Sequence, residues 1–562
     1  MLVDLLTARG EELLSSRETP WQVYPRPQMR RDSYLNLNGA WELSVNYESQ
    51  GLIRVPFCPE SRLSGIGKHY EEGSILNYSR SFTLPEGFSR GRVLLHIGAA
   101  DQRAEVFLNG KPVGSHKGGY EAFTLDITDA LTRENRLNIC CFDDLQDQSY
   151  PYGKQTLNRG GMWYTPVSGI WQSVWLESVP ENYIHKLNIE NRGYTVTISV
   201  EPKLEGKVIV PALGQFDLID GSVTIAPENP HLWSPEDPYL YDFTVETATD
   251  RVESYFAIRS LEIKTVGAYP RLCLNGKPYF FHGLLDQGYW PDGIFTPAKP
   301  ECYADDILAM KKLGFNTLRK HIKVEPEEFY YQCDKLGMIV FQDMVNNSNY
   351  NFFRDTVLST IGVQKLDDRH FHRDETTRKM FLEGMEATVR QLKNHPSICY
   401  WTIFNEGWGQ FDSDNVCARF RKLDDTRFVD STSGWFRRSN TDVDSRHVYF
   451  RKVKLTGDGK KPLVLSEFGG KTYAAEGHVF NPEKSYGYGG CDTVEALQQA
   501  VTKLYLEEVR PCVEKGLCAA IYTQVSDVED EINGILTYDR KICKLGEETM
   551  LPIAQALHAA LE

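Results

Sequence analysis

The sequence predicts a multidomain β plus α/β protein: an N-terminal jelly-roll β-sandwich, an immunoglobulin-like β-sandwich and a C-terminal (β/α)8 TIM barrel. Three observations point there. At 562 residues the chain exceeds what one core can serve, and that size divides into roughly two to four domains. Its first half reads as short strands broken by turn signals, with few helical periods. Its second half alternates apolar strands with amphipathic helices, the rhythm of a parallel sheet.

The elements follow in order. In residues 1–180, "GRVLLHIGAA", "RAEVFLNGKPVG" and "NRLNICCFDD" are β-rich, and Asn109-Gly110 is a strong hairpin signal. An all-β sandwich or jelly roll suits that stretch. In residues 181–266, "YTVTISVEP" and "YDFTVETATD" alternate around the proline-broken "ENPHLWSPEDPYLY", as in a small immunoglobulin-like sandwich. Residues 267–562 hold eight strand candidates: "PYFFHGLL", "FNTLRKH", "MIVFQDM", "SICYWTIFNE", "RFVDSTSG", "RHVYF", "PLVLSEFGG" and "LCAAIYTQVSD". Helical stretches such as "CYADDILAMKKLG" and "RKMFLEGMEATVRQLKNH" lie between several of them. Eight such strands fit a (β/α)8 barrel. An open doubly wound sheet is the alternative, but no glycine-rich phosphate loop follows the first strand.

Composition narrows the function classes. Hydrophobic residues at 41% and charged residues at 25% describe an ordinary globular chain. A net charge of −15 argues against nucleic acid as a partner, because phosphate binding wants a basic surface. The twelve cysteines show no CxxC spacing; Cys140, Cys141 and Cys399 read as reduced core thiols. The N-terminus lacks a signal-peptide core, and no stretch reaches membrane-spanning length. A cytoplasmic protein without membrane contact is expected, and a homo-oligomeric assembly stays open.

The chemistry concentrates at strand ends. A (β/α)8 barrel builds its active site at the C-terminal ends of its strands. Two candidate strands end in a glutamate followed by an aromatic-glycine turn: Glu406 in "WTIFNEGWGQ" and Glu467 in "LSEFGG". Arg319 and Asp343 close the second and third strands, and Gln524 and Asp527 the eighth. One such glutamate is ordinary helix-cap chemistry. Two across one barrel mouth are what glycosidic bond cleavage requires, an acid and an anionic nucleophile or base.

At this point the chain resembles glycoside hydrolase family 2 over almost its whole length. "GGMWYTPVSGIWQSVWLE" looks like that family's sugar-binding jelly roll, and "HLWSPEDPYLYDFTVET" like its middle domain. "GFNTLRKHIKVEPEEFYYQCDKLGMIVFQD", "HPSICYWTIFNEGWGQF" and "LVLSEFGG" look like its barrel. The resemblance implies a retaining double displacement on a carbohydrate or glycoconjugate, with Glu406 as acid/base and Glu467 as nucleophile. It also implies that Asn405 binds the sugar 2-hydroxyl and that Arg319 and Tyr449 support the nucleophile. His447 lies on the same strand face as Tyr449, and His395 reads as a structural residue at a helix end. Trp290, Trp408 and Trp435 are candidates for the apolar wall on which a sugar stacks, and Asp286 for its hydroxyls. No cofactor is implied.

Departures from the pattern bear on the substrate. The histidine-rich strand-one stretch that helps build the metal site of large β-galactosidases is replaced by "LLDQGYWPDG", so no metal is expected. Gln524 stands where a tryptophan is common. The Asn-x-Lys motif with which the family's β-glucuronidases grip a uronate is missing from its usual place near the barrel's end. The leading expectation is therefore an exo-acting β-galactosidase. The alternative is a β-hexuronidase for glucuronide or galacturonide, with Arg437 or Arg438 of "SGWFRRSN" as the carboxylate clamp. A different class, a carbohydrate-binding protein with a degenerate barrel, would bind sugar without turnover.

Overall fold

Alternation along "GAWELSV" (Gly39–Val45) buries Trp41, Leu43 and Val45 and exposes Glu42, so this strand can be covered on one face only. That requirement recurs through the first 180 residues of the computed structural model, which describes residues 2–351, 353–357 and 367–561. A six-stranded antiparallel sheet runs in the order Glu48–Val55, Gly39–Val45, Ile75–Phe82, Asn135–Phe142, Arg103–Leu108 and Lys111–Lys117. A four-stranded sheet faces it, built from Leu35–Asn36, Val174–Val179, Arg92–Ile97 and Phe123–Asp126. Trp41, Tyr78, Leu95, Val106 and Ile139 share the core between the two sheets. At the Asn109-Gly110 hairpin both residues have positive φ, 54° and 77°, which glycine adopts freely and asparagine tolerates.

Two smaller antiparallel sheets form the middle unit: Lys186–Arg192, Thr195–Glu201 and Ser222–Ile225 against Gly214–Leu218, Gly206–Val210, Tyr241–Thr247 and Arg251–Phe256. Their inward residues, among them Ile198, Val208, Phe243 and Phe256, make a separate core.

Eight parallel strands follow: β1 (Phe281–Asp286), β2 (Thr317–Lys320), β3 (Ile339–Asp343), β4 (Ile398–Asn405), β5 (Phe428–Ser433), β6 (Asp444–Val448), β7 (Leu463–Gly469) and β8 (Leu517–Thr523). Hydrogen bonding orders them β5-β4-β3-β2-β1-β8-β7-β6, the (β/α)8 ring expected from the sequence. At the β5–β6 seam, Ser433 Oγ lies 3.2 Å from Ser445 Oγ and 3.0 Å from His447 Nε2. Strands β2, β3, β4, β5 and β8 are buried throughout, because the barrel fills one face and the helices cover the other. Phe281, Phe341, Tyr400, Phe428 and Ile521 fill the ring's interior, with Tyr400 stacked on Phe341 at 4.2 Å. The connections after β5 and β6 carry no helix, for "GWFRRSNTDV" and "FRKVKLTGDGKKP" lack an apolar stripe.

All twelve cysteines are free and nine are buried, Cys141 and Cys399 among them, whereas Cys140, on the other face of its strand, is half-buried and not a core thiol. His395 is buried with Nδ1 2.6 Å from Asp334 Oδ2, a structural pair. Among the described residues, no helix is long and apolar enough to cross a membrane.

Candidate active site

The turn after β4 answers to its sequence. Glu406 sits in the left-handed region (φ 51°), where a non-glycine residue is uncommon, and its N–H donates to Ser433 O of β5 at 3.0 Å. The glycines on either side of Trp408 make the turn possible. A Cβ on Gly407 would lie 2.5 Å from the Phe436 ring, and one on Gly409 2.6 Å from Asn347 O. The chain therefore doubles back at once, which leaves the Glu406 side chain over the barrel mouth.

Glu467 is held from two sides. Arg319, at the end of β2 and 1% exposed, donates through Nη1 to Glu467 Oε1 at 3.1 Å and to Ser466 O at 3.0 Å. Its Nε donates to both oxygens of Asp343, at 3.0 and 3.2 Å, and its Nη2 to Asn405 Oδ1 at 2.8 Å. Burial works against the guanidinium's charge, but the Asp343 and Glu467 carboxylates hold its pKa above the usual range. Asp343 is likewise penalised by burial and held below the usual carboxylate range by Arg319 and His321. From the other side, Tyr449 Oη donates to Glu467 Oε2 at 2.8 Å. Burial and the neighbouring carboxylates push the Tyr449 phenol well up, so it stays a donor.

His447 joins the two acids. Its Nδ1 lies 2.8 Å from Glu406 Oε1 and 3.6 Å from Glu467 Oε2. One ligand-type atom from each of Glu406, His447 and Glu467 falls within 4.8 Å of the others. Among the described residues this is the one group of three that could hold a metal ion. Asn405 completes the floor: Arg319 takes its Oδ1, while its buried Nδ2 has no hydrogen-bond partner. An amide donor left unpaired in a buried site costs about 1–3 kcal/mol unless a ligand meets it.

The remaining expected residues divide. Trp408 is at the site: two residues past Glu406, it stacks on Trp163 at 5.3 Å and meets Tyr350 edge-on at 5.6 Å. Trp435 lies half-buried beside the His447 ring, 6.5 Å between centroids. Trp290 instead packs against Tyr303 and under the Arg540 guanidinium, 4.1 Å from its ring centre, inside the barrel's outer core. Asp286 is committed to Lys320 Nζ at 2.6 Å and to Gly288 N at 2.9 Å. Burial alone would raise its pKa, and the Lys320 ammonium holds it below the usual range. Gln524 spends its amide on Gln287 and Asn533, each at 2.8 Å. Arg437 pairs with Asp444 at 2.7 Å, and Arg438 with Asp414 at 3.2 Å and Asp368 at 3.6 Å. Neighbouring acids, among them the fully buried Asp368, thus already engage both arginines.

A segment that sequence reading left out also reaches the site. Residues 149–165, between two jelly-roll strands, cross the barrel mouth. Tyr152 N–H donates to Asn346 O at 3.1 Å, Thr165 N–H to Glu529 Oε1 at 2.9 Å, and Tyr164 Oη to Glu531. This segment carries Trp163 to Trp408 and seats Lys154 above the same ring.

Three models of glycosyl hydrolase family 2 domains match the chain: the galactose-binding-like domain over residues 51–157, the middle domain over 181–259 and the TIM barrel domain over 269–544. A β-galactosidase of Thermoanaerobacter pseudethanolicus is 23% identical over 80% of this chain and 60% of its own length. The chain spans 60% of that relative's length, 44% of a β-galactosidase of Halalkalibacterium halodurans and 65% of a β-glucuronidase of Felis catus. A β-D-glucuronidase from Dictyoglomus thermophilum superposes with a TM-score of 0.73 at 19% identity, covering 95% of this chain and 98% of that one. A β-galacturonidase from Eisenbergiella tayi does so with a TM-score of 0.69 at 19% identity, covering 95% and 99%. At that identity the likeness is one of fold.

Proposed function

The chain belongs to glycosyl hydrolase family 2, and from that premise we propose that it is a retaining, exo-acting β-glycosidase working by double displacement. The observation that carries the reading is that Glu406 and Glu467 face each other over one barrel mouth, an oxygen of each within 4.8 Å of the other, an approach closer in kind to the retaining than to the inverting arrangement. Retaining enzymes hold their carboxyls about 5–5.5 Å apart, whereas inverting ones leave about 6.5–9.5 Å for a water.

Glu467 attacks the anomeric carbon, with Arg319 and Tyr449 fixing its two oxygens so that one lone pair faces the sugar. Glu406 protonates the leaving oxygen, and in the second step takes a proton from the water that cleaves the glycosyl ester. His447, bonded to Glu406, aims that carboxyl. The unpaired Nδ2 of Asn405 suits the sugar 2-hydroxyl, a contact that strengthens as the oxocarbenium ion forms. Trp408 and Trp163 supply an apolar wall at the mouth on which the sugar can stack.

For the sugar, the β-galactoside reading draws support from the relative named a β-galactosidase, and the uronide reading from the glucuronidase and galacturonidase of like fold. A uronide reading through Arg437 or Arg438 has less support, since Asp444, Asp414 and Asp368 already engage them. The test has two parts. Proton NMR of the first product should show the β-anomer before mutarotation; an α-anomer first would refute retention. A panel of 4-nitrophenyl galactoside, glucuronide, galacturonide, glucoside, mannoside and arabinofuranoside, compared by kcat/KM, assigns the sugar. A protein that binds these sugars and cleaves none would be the non-catalytic alternative.

A further inference from the structure

Four lysines are buried among the described residues: Lys154, Lys320, Lys323 and Lys544. Three of them hold carboxylates. Lys320 pairs with Asp286 and Glu325, Lys323 with Glu325, and Lys544 with Asp527, at distances of 2.6–3.0 Å. Lys154, 7% exposed, has no hydrogen bond or ion pair for its Nζ among the described residues. The Lys154 stem is buried while its ammonium opens on the barrel mouth with no protein counter-anion among those residues, which leaves the charge free to meet an anion from outside.

The ammonium's surroundings say where that anion would be. Its Nζ lies 5.5 Å from the Trp408 ring centre and 5.8 Å from that of Tyr164. Trp408 follows Glu406 by two residues, and Gly153, next to Lys154, abuts Ile322 O and Val345 at the ends of β2 and β3. The nearby acids are already engaged. Asp343 is held by Arg319 and His321, and Glu531 by Tyr164 and Asn533. The charge is felt inside the mouth: burial first, and Lys154 next, push His321 down to about 4.

We propose that Lys154, reaching in from the jelly roll, selects an anionic group on the sugar, a carboxylate or a sulfate ester, so that the preferred substrates are β-linked acidic glycans. The proposal rests on the glycosidase reading above and names the substrate class it left open. A charge-assisted hydrogen bond from the ammonium would supply the discrimination, and the Trp408 and Tyr164 rings would exclude the water that weakens such bonds. This cation lies outside the barrel sequence, which is why a search of the barrel rim finds only engaged arginines.

The test compares the wild type with Lys154→Met, which keeps length and apolar contact with both rings, and with Lys154→Arg. The substrates are the 4-nitrophenyl β-glucuronide, β-galacturonide, β-galactoside and β-galactoside 6-sulfate. The anionic-to-neutral ratio of kcat/KM should favour an anionic sugar in the wild type. It should fall about 30-fold or more in Lys154→Met, about 2 kcal/mol of transition-state binding, and recover in part in Lys154→Arg. Preference for a uronide identifies the anion as carboxylate, and preference for the 6-sulfate identifies a sulfate ester. A wild type that favours the neutral galactoside overturns the proposal, as does a ratio that Lys154→Met leaves in place. The latter result would make Lys154 only a clip between Tyr164 and Trp408. Calorimetry with free galacturonate and galactose separates the two readings. Lys154-dependent galacturonate binding without turnover of any glycoside would sink the glycosidase reading and leave the anion site standing. Equal binding of both sugars would sink the anion site.

Discussion

Replacing Arg319 by lysine keeps the charge and removes the geometry. The guanidinium serves Asp343 through Nε, Ser466 O and Glu467 Oε1 through Nη1, and Asn405 Oδ1 through Nη2. These acceptors lie in different directions around a planar fork. A single ammonium on a shorter stem cannot meet them together. Asp343 is the strongest competitor for a lysine, being buried and bonded besides only to His321. The bonds to Glu467 and Asn405 are then the ones lost. A hydrogen bond to a charged group is worth about 1.5–3 kcal/mol, so two lost bonds remove about 3–6 kcal/mol from the groups that meet the transition state. That corresponds to about 10²–10⁴ in kcat/KM. The assay is steady-state hydrolysis of whichever aryl β-glycoside the wild type turns over fastest, with near-ultraviolet circular dichroism as the check on folding. The loss should appear mainly in kcat, because the nucleophile's alignment matters most as the bond forms. A folded Arg319→Lys protein within tenfold of wild type would refute the view that this arginine orients the nucleophile.

Glu406→Gln should slow substrates with poor leaving groups far more than a dinitrophenyl glycoside, for which a burst of phenol should precede a slow steady state; equal slowing without a burst would count against Glu406 as acid/base. Glu121 gives a pH prediction. Burial pushes its carboxyl up from 4.5 to about 7, so the folded state binds its proton more readily than the unfolded state does. The resulting stability is full below about 4.5 and is lost as pH rises through 7, a swing of about 3 kcal/mol at 1.36 kcal/mol per unit. Glu121→Gln, whose amide oxygen can still accept from Tyr120 N–H, should therefore melt several degrees higher than wild type at pH 8 and no higher at pH 4.5. Equal shifts at both pH values would show that the carboxyl does not titrate in this way.

The sequence is informative about the site where strand periodicity does the placing. A strand alternates its side chains, so the last inward residue of each barrel strand faces the mouth, and a glycine after a carboxylate marks the turn that exposes it. Arg319, Asn405, Glu467 and Tyr449 are brought together in this way, and the left-handed turn at Glu406 brings its side chain in beside that of its neighbour Asn405. His447, two residues before Tyr449, shares its face and could have been found by the same parity. Periodicity gives the end of a strand but not the rotamer or the neighbours of a residue in the loop beyond it. Trp290 turns into the outer core, Gln524 is spent on Gln287 and Asn533, and the two adjacent arginines meet acids from other segments. Lys154 and Trp163 lie further out of reach. They come from a jelly-roll connection about 250 residues before Trp408, and no local pattern says which sandwich loop will dock on a barrel.

The most direct test of double displacement at this barrel mouth is azide rescue of Glu467→Ala. The variant should fold, melt close to wild type and lose at least about 10³ in kcat, about 4 kcal/mol. Sodium azide, small enough to fill the space of the missing carboxylate, should restore turnover of an activated β-glycoside and yield the α-glycosyl azide. Turnover near the wild-type rate without azide, or a β-glycosyl azide product, would contradict Glu467 as the nucleophile.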